Sequence, residues 1–206
     1  MYTEILRVGH PSAINHAIDV LKHGGLVAFP TDTVYGLAAL PFKCEYVEGL
    51  FSAKGRNNAR AIAILIGDYP DLERVVEQFD EKSLRLAHRF WPGPLTLVVP
   101  KLPSLPEELS PDQTIGVRMP DHPIALALLR GIGPLAVTSA NISGQENTNT
   151  AEEVNKQLNG RVHLILDGGK TSGGVPSTVV DCISDPLIIL RQGPISSEMI
   201  QEALSE

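Results

Sequence analysis

The chain has 206 residues, of which 43% are hydrophobic and 20% charged, and its formal net charge is −7. These values predict one globular domain over residues 1–206 with a substantial core, and they exclude an intrinsically disordered chain. The acidic balance argues against a broad nucleic-acid-binding surface. No apolar run approaches the roughly 20 residues that span a bilayer.

The first residues and the cysteines indicate a compartment. The stretch MYTEILRVGHPS lacks the basic end and apolar run of a signal peptide. Cys44 and Cys182 lie far apart and form no CxxC pair, which is typical of free thiols in a reducing cytosol. We therefore expect a cytoplasmic protein with no membrane association.

Taken in chain order, the first half of the sequence alternates short apolar strands with helices. The patterns predict strands at 5–8, 26–29, 61–66 and 95–99, and helices at 12–23, 44–53, 71–79 and 81–90. In the first helix Ile14, Ile18 and Leu21 share one face, and Gly24 and Gly25 end it.

The second half begins with a Pro-rich segment at 100–111, which predicts a surface loop. Strands are then predicted at 114–119, 135–138, 162–166, 178–182 and 187–191, and helices at 122–130, 151–158 and 196–204. Ser196 is a suitable N-cap for the last helix. Because the late strands follow one another without helices, we expect an α/β (α+β) fold with a mixed sheet.

Polar side chains cluster just after several apolar strands, where α/β sheets commonly bind ligands. The stretches are PTDTVYG (30–36), SAKGRNNAR (52–60), TIGVRMP (114–120), VTSANISG (137–144), PSTVVD (176–181) and ILRQG (189–193). In the first of them Val34 and Leu37 require burial beside three hydroxyls and Asp32. The clusters together predict a polar, locally cationic cleft for a small anionic ligand.

The cations in these stretches allow two interpretations. Lys54 and Arg56, with Arg60 nearby, can bind a phosphate in one cleft, but a solvated surface patch has the same spacing. Arg118 and Arg191 end apolar strands, where a guanidinium requires partners or water. Structural ion pairs satisfy that requirement as well as a ligand does.

The small polar residues are equally ambiguous. Ser139, Asn141 and Ser177 lie in loops that can bring backbone N–H groups close to an anion, and helix caps have similar composition. Asp32 suits either a base or an Asx-turn. The segment GGKTS is not a P-loop, because Leu164 replaces its first glycine. The histidines and cysteines show no zinc-binding spacing.

Seven stretches together resemble the YrdC-like family, the threonylcarbamoyl-adenylate synthases. They are FPTDTVYGLAAL, FSAKGR, FWPGPLTLVV, TIGVRMPDHPIA, VTSANISG, PSTVVDC and ILRQGPIS, in family order over roughly residues 12 to 198. The resemblance implies a twisted mixed sheet, with flanking helices, around a large cationic cavity. Since nothing follows Glu206, the chain is similar to the short, single-domain form.

The resemblance also implies a reaction and its partners. ATP, L-threonine and bicarbonate or CO2 give threonylcarbamoyl-adenylate and pyrophosphate, with Mg2+ expected on the ATP phosphates and no metal ligand expected from the protein. A separate transferase then passes the group to the adenosine next to the anticodon of certain tRNAs. A weak direct contact with tRNA is compatible with this scheme.

Site residues follow from the matched motifs. The family's K-x-R and S-x-N correspond to Lys54, Arg56, Ser139 and Asn141, which the resemblance makes catalytic. It implies an L-threonine pocket of Thr31, Thr33, Tyr35, Arg118, Ser139 and Ser177, in which Arg118 binds the carboxylate. It implies nucleotide contacts from Lys54, Arg56, Arg60, Thr114, Val137, Asn141, Asn149 and Arg191.

The sequence departs from the family pattern at four positions. Asn57, Arg60 and Leu65 replace a proline, an asparagine and a histidine that many relatives have, and Asn149 replaces a threonine. Two other functions remain open. One is a YrdC-like module that binds RNA or nucleotide without synthase activity. The other is a carbamoyl-adenylate enzyme like the related domain of hydrogenase maturation factors.

Overall fold

The computed structural model of the protein describes residues 2–55 and 61–205, so the predictions on Arg56, Asn57 and Arg60 lie outside the described residues. Ten strands run β1 Glu4–Arg7, β2 Val27–Phe29, β3 Gly36–Ala39, β4 Ala63–Leu65, β5 Leu95–Pro100, β6 Thr114–Arg118, β7 Leu135–Ser139, β8 Leu164–Asp167, β9 Thr178–Asp181 and β10 Ile188–Arg191. Six α-helices run α1 Ala13–Lys22, α2 Cys44–Lys54, α3 Glu81–Phe90, α4 Pro123–Ile132, α5 Ala151–Leu158 and α6 Ser197–Ser205. Two short 3₁₀ helices span Tyr69–Arg74 and Glu107–Leu109.

The ten strands form one mixed sheet in the order β1-β8-β2-β3-β7-β4-β6-β5-β9-β10. Strands β1 and β2 both pair in parallel with β8, while β3 pairs antiparallel with β2 and β7. Strand β6 is parallel to β4 and antiparallel to β5, and β5 is parallel to β9. The mixed α/β fold expected from the sequence is confirmed.

Helices cover both faces of the sheet. On one face, α1 and α4 bury a spaced set of apolar residues that includes Ala17, Leu21 and Leu128. On the other, α2, α3, α5 and α6 pack over a larger core that includes Leu50 and Leu86. Strands β2 and β3 are buried at every position, and β8 at all but its last. No helix in the described part of the chain has the length and apolarity that a membrane crossing requires.

One strand was not predicted from the sequence. Strand β3, with the sequence GLAA, is buried at every position and pairs Val27 with Ala38 and Gly36 with Ser139. A strand covered on both faces lacks the alternation that reveals a half-buried strand. Glycine and alanine also have low β-propensity, so nothing in the local sequence marks it.

Two further predictions were wrong in detail. The helix predicted at 71–79 is a 3₁₀ helix that ends at Arg74, after which Val75 and Val76 are buried and Val76 forms a β-bridge with Lys101. β-Branched residues favour that extended pairing. The Pro-rich segment is not purely a surface loop, because Leu105 and Leu109 turn inward and are buried.

Candidate ligand-binding site

A cavity of about 530 Å³ opens over the central strands of the sheet. Many of the predicted site residues line it, namely Thr31, Thr33, Tyr35, Lys54, Arg118, Val137, Ser139, Asn141, Ser177 and Arg191. These residues are separated by as much as 160 positions in sequence, and the sheet order brings them together. Thr114 and Asn149 lie outside the lining, and the carboxamide of Asn149 accepts a hydrogen bond from Thr171 at 3.1 Å.

The loop between β2 and β3 forms one wall. The Thr31 hydroxyl donates to the Val34 carbonyl at 2.7 Å and accepts from the Thr33 amide at 3.2 Å. The hydroxyls of Thr31 and Thr33 are themselves 3.0 Å apart. Val34 and Leu37 are buried, as expected, and hold the loop against the core. Thr31 therefore fixes the turn that presents Thr33 to the cavity.

Tyr35 ties this loop to a later segment of the chain. Its hydroxyl donates to the Gly169 carbonyl at 2.8 Å and accepts from the Gly168 amide at 3.2 Å. The Gly174 amide donates to the Thr33 carbonyl at 2.8 Å. Burial raises the pKa of Tyr35 to about 12, so its hydroxyl stays protonated. The glycine-rich stretch 168–174 thus holds the loop between β2 and β3 in place through these hydrogen bonds.

Arg118 lies at the floor of the cavity, where β6 ends, and is almost fully buried. Its Nε donates to the Gly93 carbonyl at 2.9 Å, Nη1 donates to the Thr33 hydroxyl at 3.0 Å, and Nη2 pairs with the Asp32 carboxylate. Burial lowers the pKa of Arg118, and the adjacent Asp32 opposes that effect. Within the turn, the Asp32 carboxylate is thus the ion-pair partner of Arg118, a contact that its position in the sequence did not indicate.

His122 lies close to this ion pair. Burial lowers the pKa of its imidazole, while the negative charges of Asp32 and Asp121 oppose the change. The His122 Nδ1 and the second carboxylate oxygen of Asp32 are both buried, and neither has a hydrogen-bond partner among residues 2–55 and 61–205. Burial therefore favours the neutral imidazole of His122, whose position beside Asp32 no sequence pattern indicated.

A second wall, next to the first, is formed by the loop after β7, which Lys54 holds from the end of α2. The Lys54 ammonium donates to the backbone carbonyl of Asn141 at 2.6 Å and to that of Ser139. The Lys54 carbonyl accepts from the Ser143 amide at 3.0 Å. The carboxamide of Asn141 donates to the Gln145 carbonyl at 2.8 Å. The two motifs, K-x-R and S-x-N, are therefore in direct contact through Lys54.

Ser177 and Arg191 close the third side. The Arg191 guanidinium donates to the Ser177 carbonyl at 3.0 Å and to its hydroxyl at 3.1 Å. The Ser177 hydroxyl is also 2.8 Å from that of Thr96, a buried residue of β5 that faces the cavity. Sequence reasoning missed Thr96, although the alternation of β5 places it on the same face as Val98.

The charge of the lining is positive. Lys54, Arg118 and Arg191 contribute cationic groups, and no acidic side chain lines the cavity among the described residues. Hydroxyl and amide groups fill most of the remaining polar surface. Such an arrangement suits an anionic ligand that also has hydroxyl or amine groups.

Comparison with known proteins agrees with this geometry. The Sua5/YciO/YrdC family model, described as "Telomere recombination", matches residues 19–193. A threonylcarbamoyl-AMP synthase of Bacillus subtilis is 42% identical over 208 residues, 98% of this chain and 59% of the relative. The chain therefore spans less than two thirds of that relative's length.

Two solved structures extend the comparison. Pyrococcus abyssi Sua5 complexed with L-threonine is 39% identical, with a TM-score of 0.94, and the match covers 100% of this chain and 62% of that one. E. coli YciO is 28% identical, with a TM-score of 0.82, over 94% of this chain and 97% of its own. The family match, the sequence identity and the shared fold agree with one another, and this chain belongs to the Sua5/YciO/YrdC family.

Proposed function

We propose that the protein is a threonylcarbamoyl-AMP synthase, which converts L-threonine, bicarbonate or CO2, and ATP into threonylcarbamoyl-adenylate and pyrophosphate. The observation that carries the proposal is one shared cavity that is lined both by Arg118, Thr33 and Ser177 and by Lys54, Ser139 and Asn141. One end suits an amino acid and the other a triphosphate. The L-threonine complex of the Pyrococcus abyssi relative supports this assignment.

The reaction requires positioning more than a nucleophile from the protein. The deprotonated amine of threonine attacks CO2 and forms a carbamate. A carbamate oxygen then attacks the α-phosphorus of ATP. The bond between the α-phosphorus and the oxygen that bridges it to the β-phosphorus breaks, and pyrophosphate leaves. In this proposal Arg118 binds the threonine carboxylate, and Thr33 and Ser177 orient the amino acid. Lys54 and Arg191 offset the phosphate charge.

Three further nucleotide contacts belong to the proposal, those of Thr114, Val137 and Asn149. Thr114 and Asn149 do not line the cavity, so a direct contact with ATP would require the ligand to extend beyond it. Val137 does line the cavity and offers an apolar surface. ATP would bring Mg2+ as the counter-ion of its phosphates, and the Ser139 hydroxyl in the cavity lining would contact the water shell of that ion.

Pyrophosphate release tests the proposal. The full chain is incubated with ATP and Mg2+, with and without L-threonine and bicarbonate, and pyrophosphate is measured over time. We expect release only when both co-substrates are present. Release without threonine would identify a nucleotide hydrolase instead. Nucleotide binding without any release would favour the RNA- or nucleotide-binding module.

The proposed product determines the partners. A mixed carbonic–phosphoric anhydride reacts readily with water, so a transferase that uses it on tRNA has to receive it quickly. We propose that this protein acts in the cytoplasm beside such a tRNA threonylcarbamoyl transferase. The formal net charge of −7 favours a weak contact with tRNA over a stable complex.

A further inference from the structure

We propose that Asp32 is a positioning residue for the carboxylate site: it holds the Arg118 guanidinium in the one orientation that accepts the amino acid. The inference rests on the proposed function and adds a residue to it. Arg118 lines the cavity, whereas Asp32 does not, although its neighbours Thr31 and Thr33 do. Asp32 can therefore affect a ligand only through Arg118.

The guanidinium of Arg118 is fixed at each of its three nitrogens. Gly93 accepts from Nε, Thr33 from Nη1 and Asp32 from Nη2. A guanidinium has five N–H groups, so the contacts within the described residues leave one on each terminal nitrogen. Because Nε is committed to Gly93, a carboxylate has to bind end-on to Nη1 and Nη2. The hydrogen bond to Asp32 determines which Nη2 proton remains available to the ligand carboxylate.

The hydrogen bonding of the Asp32 carboxylate also supports a positioning role. Its second oxygen is buried without a partner in the described part of the chain, and the nearby His122 Nδ1 is unpartnered too. An unsatisfied buried acceptor destabilises the folded state. A carboxylate that only stabilised the fold would satisfy both oxygens. Here the described bonding of Asp32 goes to Arg118 alone.

An opposing hypothesis makes the reverse prediction. If the Asp32 carboxylate merely neutralised Arg118, it would compete with a ligand carboxylate for the guanidinium. Removing its charge would then strengthen amino-acid binding. If Asp32 instead positions Arg118, removing its charge should weaken amino-acid binding, because a displaced guanidinium loses its bidentate contact with the ligand carboxylate.

The experiment is calorimetric titration of L-threonine and, separately, of ATP into the full chain and its variants. We expect Asp32→Asn to weaken threonine binding about 10- to 100-fold, the scale of a misplaced binding group, with ATP binding unchanged. Asp32→Glu keeps the charge but shifts the carboxylate, and we expect the same loss. Asp121→Asn is the matched control, because it removes an exposed carboxylate of the same region and should bind threonine normally.

A double-mutant cycle tells positioning from a general loss of structure. In an Arg118→Lys background, where no fork is left to orient, Asp32→Asn should change threonine affinity by less than about twofold. Thermal unfolding checks each variant. Asp32→Glu retains a carboxylate partner for the buried Arg118. If Asp32→Asn does not fold, threonine binding by Asp32→Glu therefore decides whether Asp32 positions Arg118.

Three outcomes would overturn the inference while leaving the proposed function intact. These are tighter or unchanged threonine binding by Asp32→Asn, normal binding by Asp32→Glu, and a loss that persists in the Arg118→Lys background. Wild-type protein that binds ATP but no threonine would instead overturn both the inference and the proposed function.

Discussion

The hydroxyl of Thr33 serves two neighbours, since it accepts from Arg118 at 3.0 Å and lies 3.0 Å from the Thr31 hydroxyl. Replacing Thr33 by valine keeps the volume and removes this acceptor. We expect the KM for L-threonine to rise about tenfold, the value of one hydrogen bond of this kind, with ATP binding unchanged. Steady-state kinetics in both substrates measure this.

Thr3→Val is the control for Thr33. Thr3 is also a buried threonine, with its hydroxyl bonded to the Val162 carbonyl at 2.7 Å, but it lies outside the cavity. We expect that variant to lose stability without a change in KM. If Thr33→Val weakened threonine and ATP equally, the assignment of the loop to the amino acid would be wrong.

The contribution of the Tyr35 hydroxyl to folding stability should depend on pH. Its pKa is raised from 10.0 to about 12 in the folded protein, so folding favours the protonated hydroxyl. This stabilisation is complete below pH 10 and is lost as the pH rises towards about 12. We expect Tyr35→Phe to be less stable than wild type at pH 8, and the difference to shrink between pH 10 and 12. Urea unfolding at each pH measures it.

The exposed Tyr2 provides the comparison for Tyr35. Tyr2→Phe removes a phenol that folding does not bury, so its unfolding free energy should follow wild type across the whole range. A difference between Tyr35→Phe and wild type that stayed constant with pH would contradict the buried, hydrogen-bonded hydroxyl.

At the scale of elements, the glycine-rich segment 168–174 supports the 31–35 loop through close backbone contact. A Cβ added to Gly173 would lie 2.8 Å from the Thr33 Cα and would also meet the Asp32 carbonyl. Both are backbone atoms, which cannot rotate away. We expect Gly173→Ala to displace the loop, with a loss of about 1–3 kcal/mol in stability and weaker threonine binding. Denaturant unfolding and calorimetry measure the two effects.

Gly9→Ala is the matched control for Gly173, because a Cβ at Gly9 meets nothing within 4 Å. That variant should keep both the stability and the threonine affinity of wild type. Normal threonine binding by Gly173→Ala would show that the segment packs against the loop without shaping it.

At the scale of the whole molecule, the sequence predicted more of the site than of the sheet. The motifs around Thr33, Lys54, Arg118 and Ser139 indicated cavity residues because polar side chains that follow apolar strands are visible in the local sequence. The strand order depends instead on contacts distant in sequence, which no local pattern encodes. Strand β3 was missed because its buried GLAA sequence shows no alternation. The pairing of Gly36 with Ser139, which joins two walls of the cavity, was missed because it connects residues distant in sequence.

The unpredicted parts of the site are contacts between motifs. Sequence placed Asp32 in a turn and Lys54 on a phosphate, and it had no means of seeing that Asp32 pairs with Arg118 or that Lys54 holds the Asn141 carbonyl. Each contact spans more than 80 residues. The formal charge of −7 likewise hides a cavity whose charged lining is cationic.

The position of β8 has a consequence for synthesis on the ribosome. Strand β8 lies between β1 and β2, so β1 and one edge of β2 stay unpaired until residue 167 has been made, although β2 can pair with β3 earlier. Until then the nascent chain exposes open strand edges, which other chains can pair with. Ser177 and Arg191 emerge later still. The binding cavity is therefore complete only after residue 191 has been made, and a chain interrupted earlier would expose unpaired strand edges to chaperones.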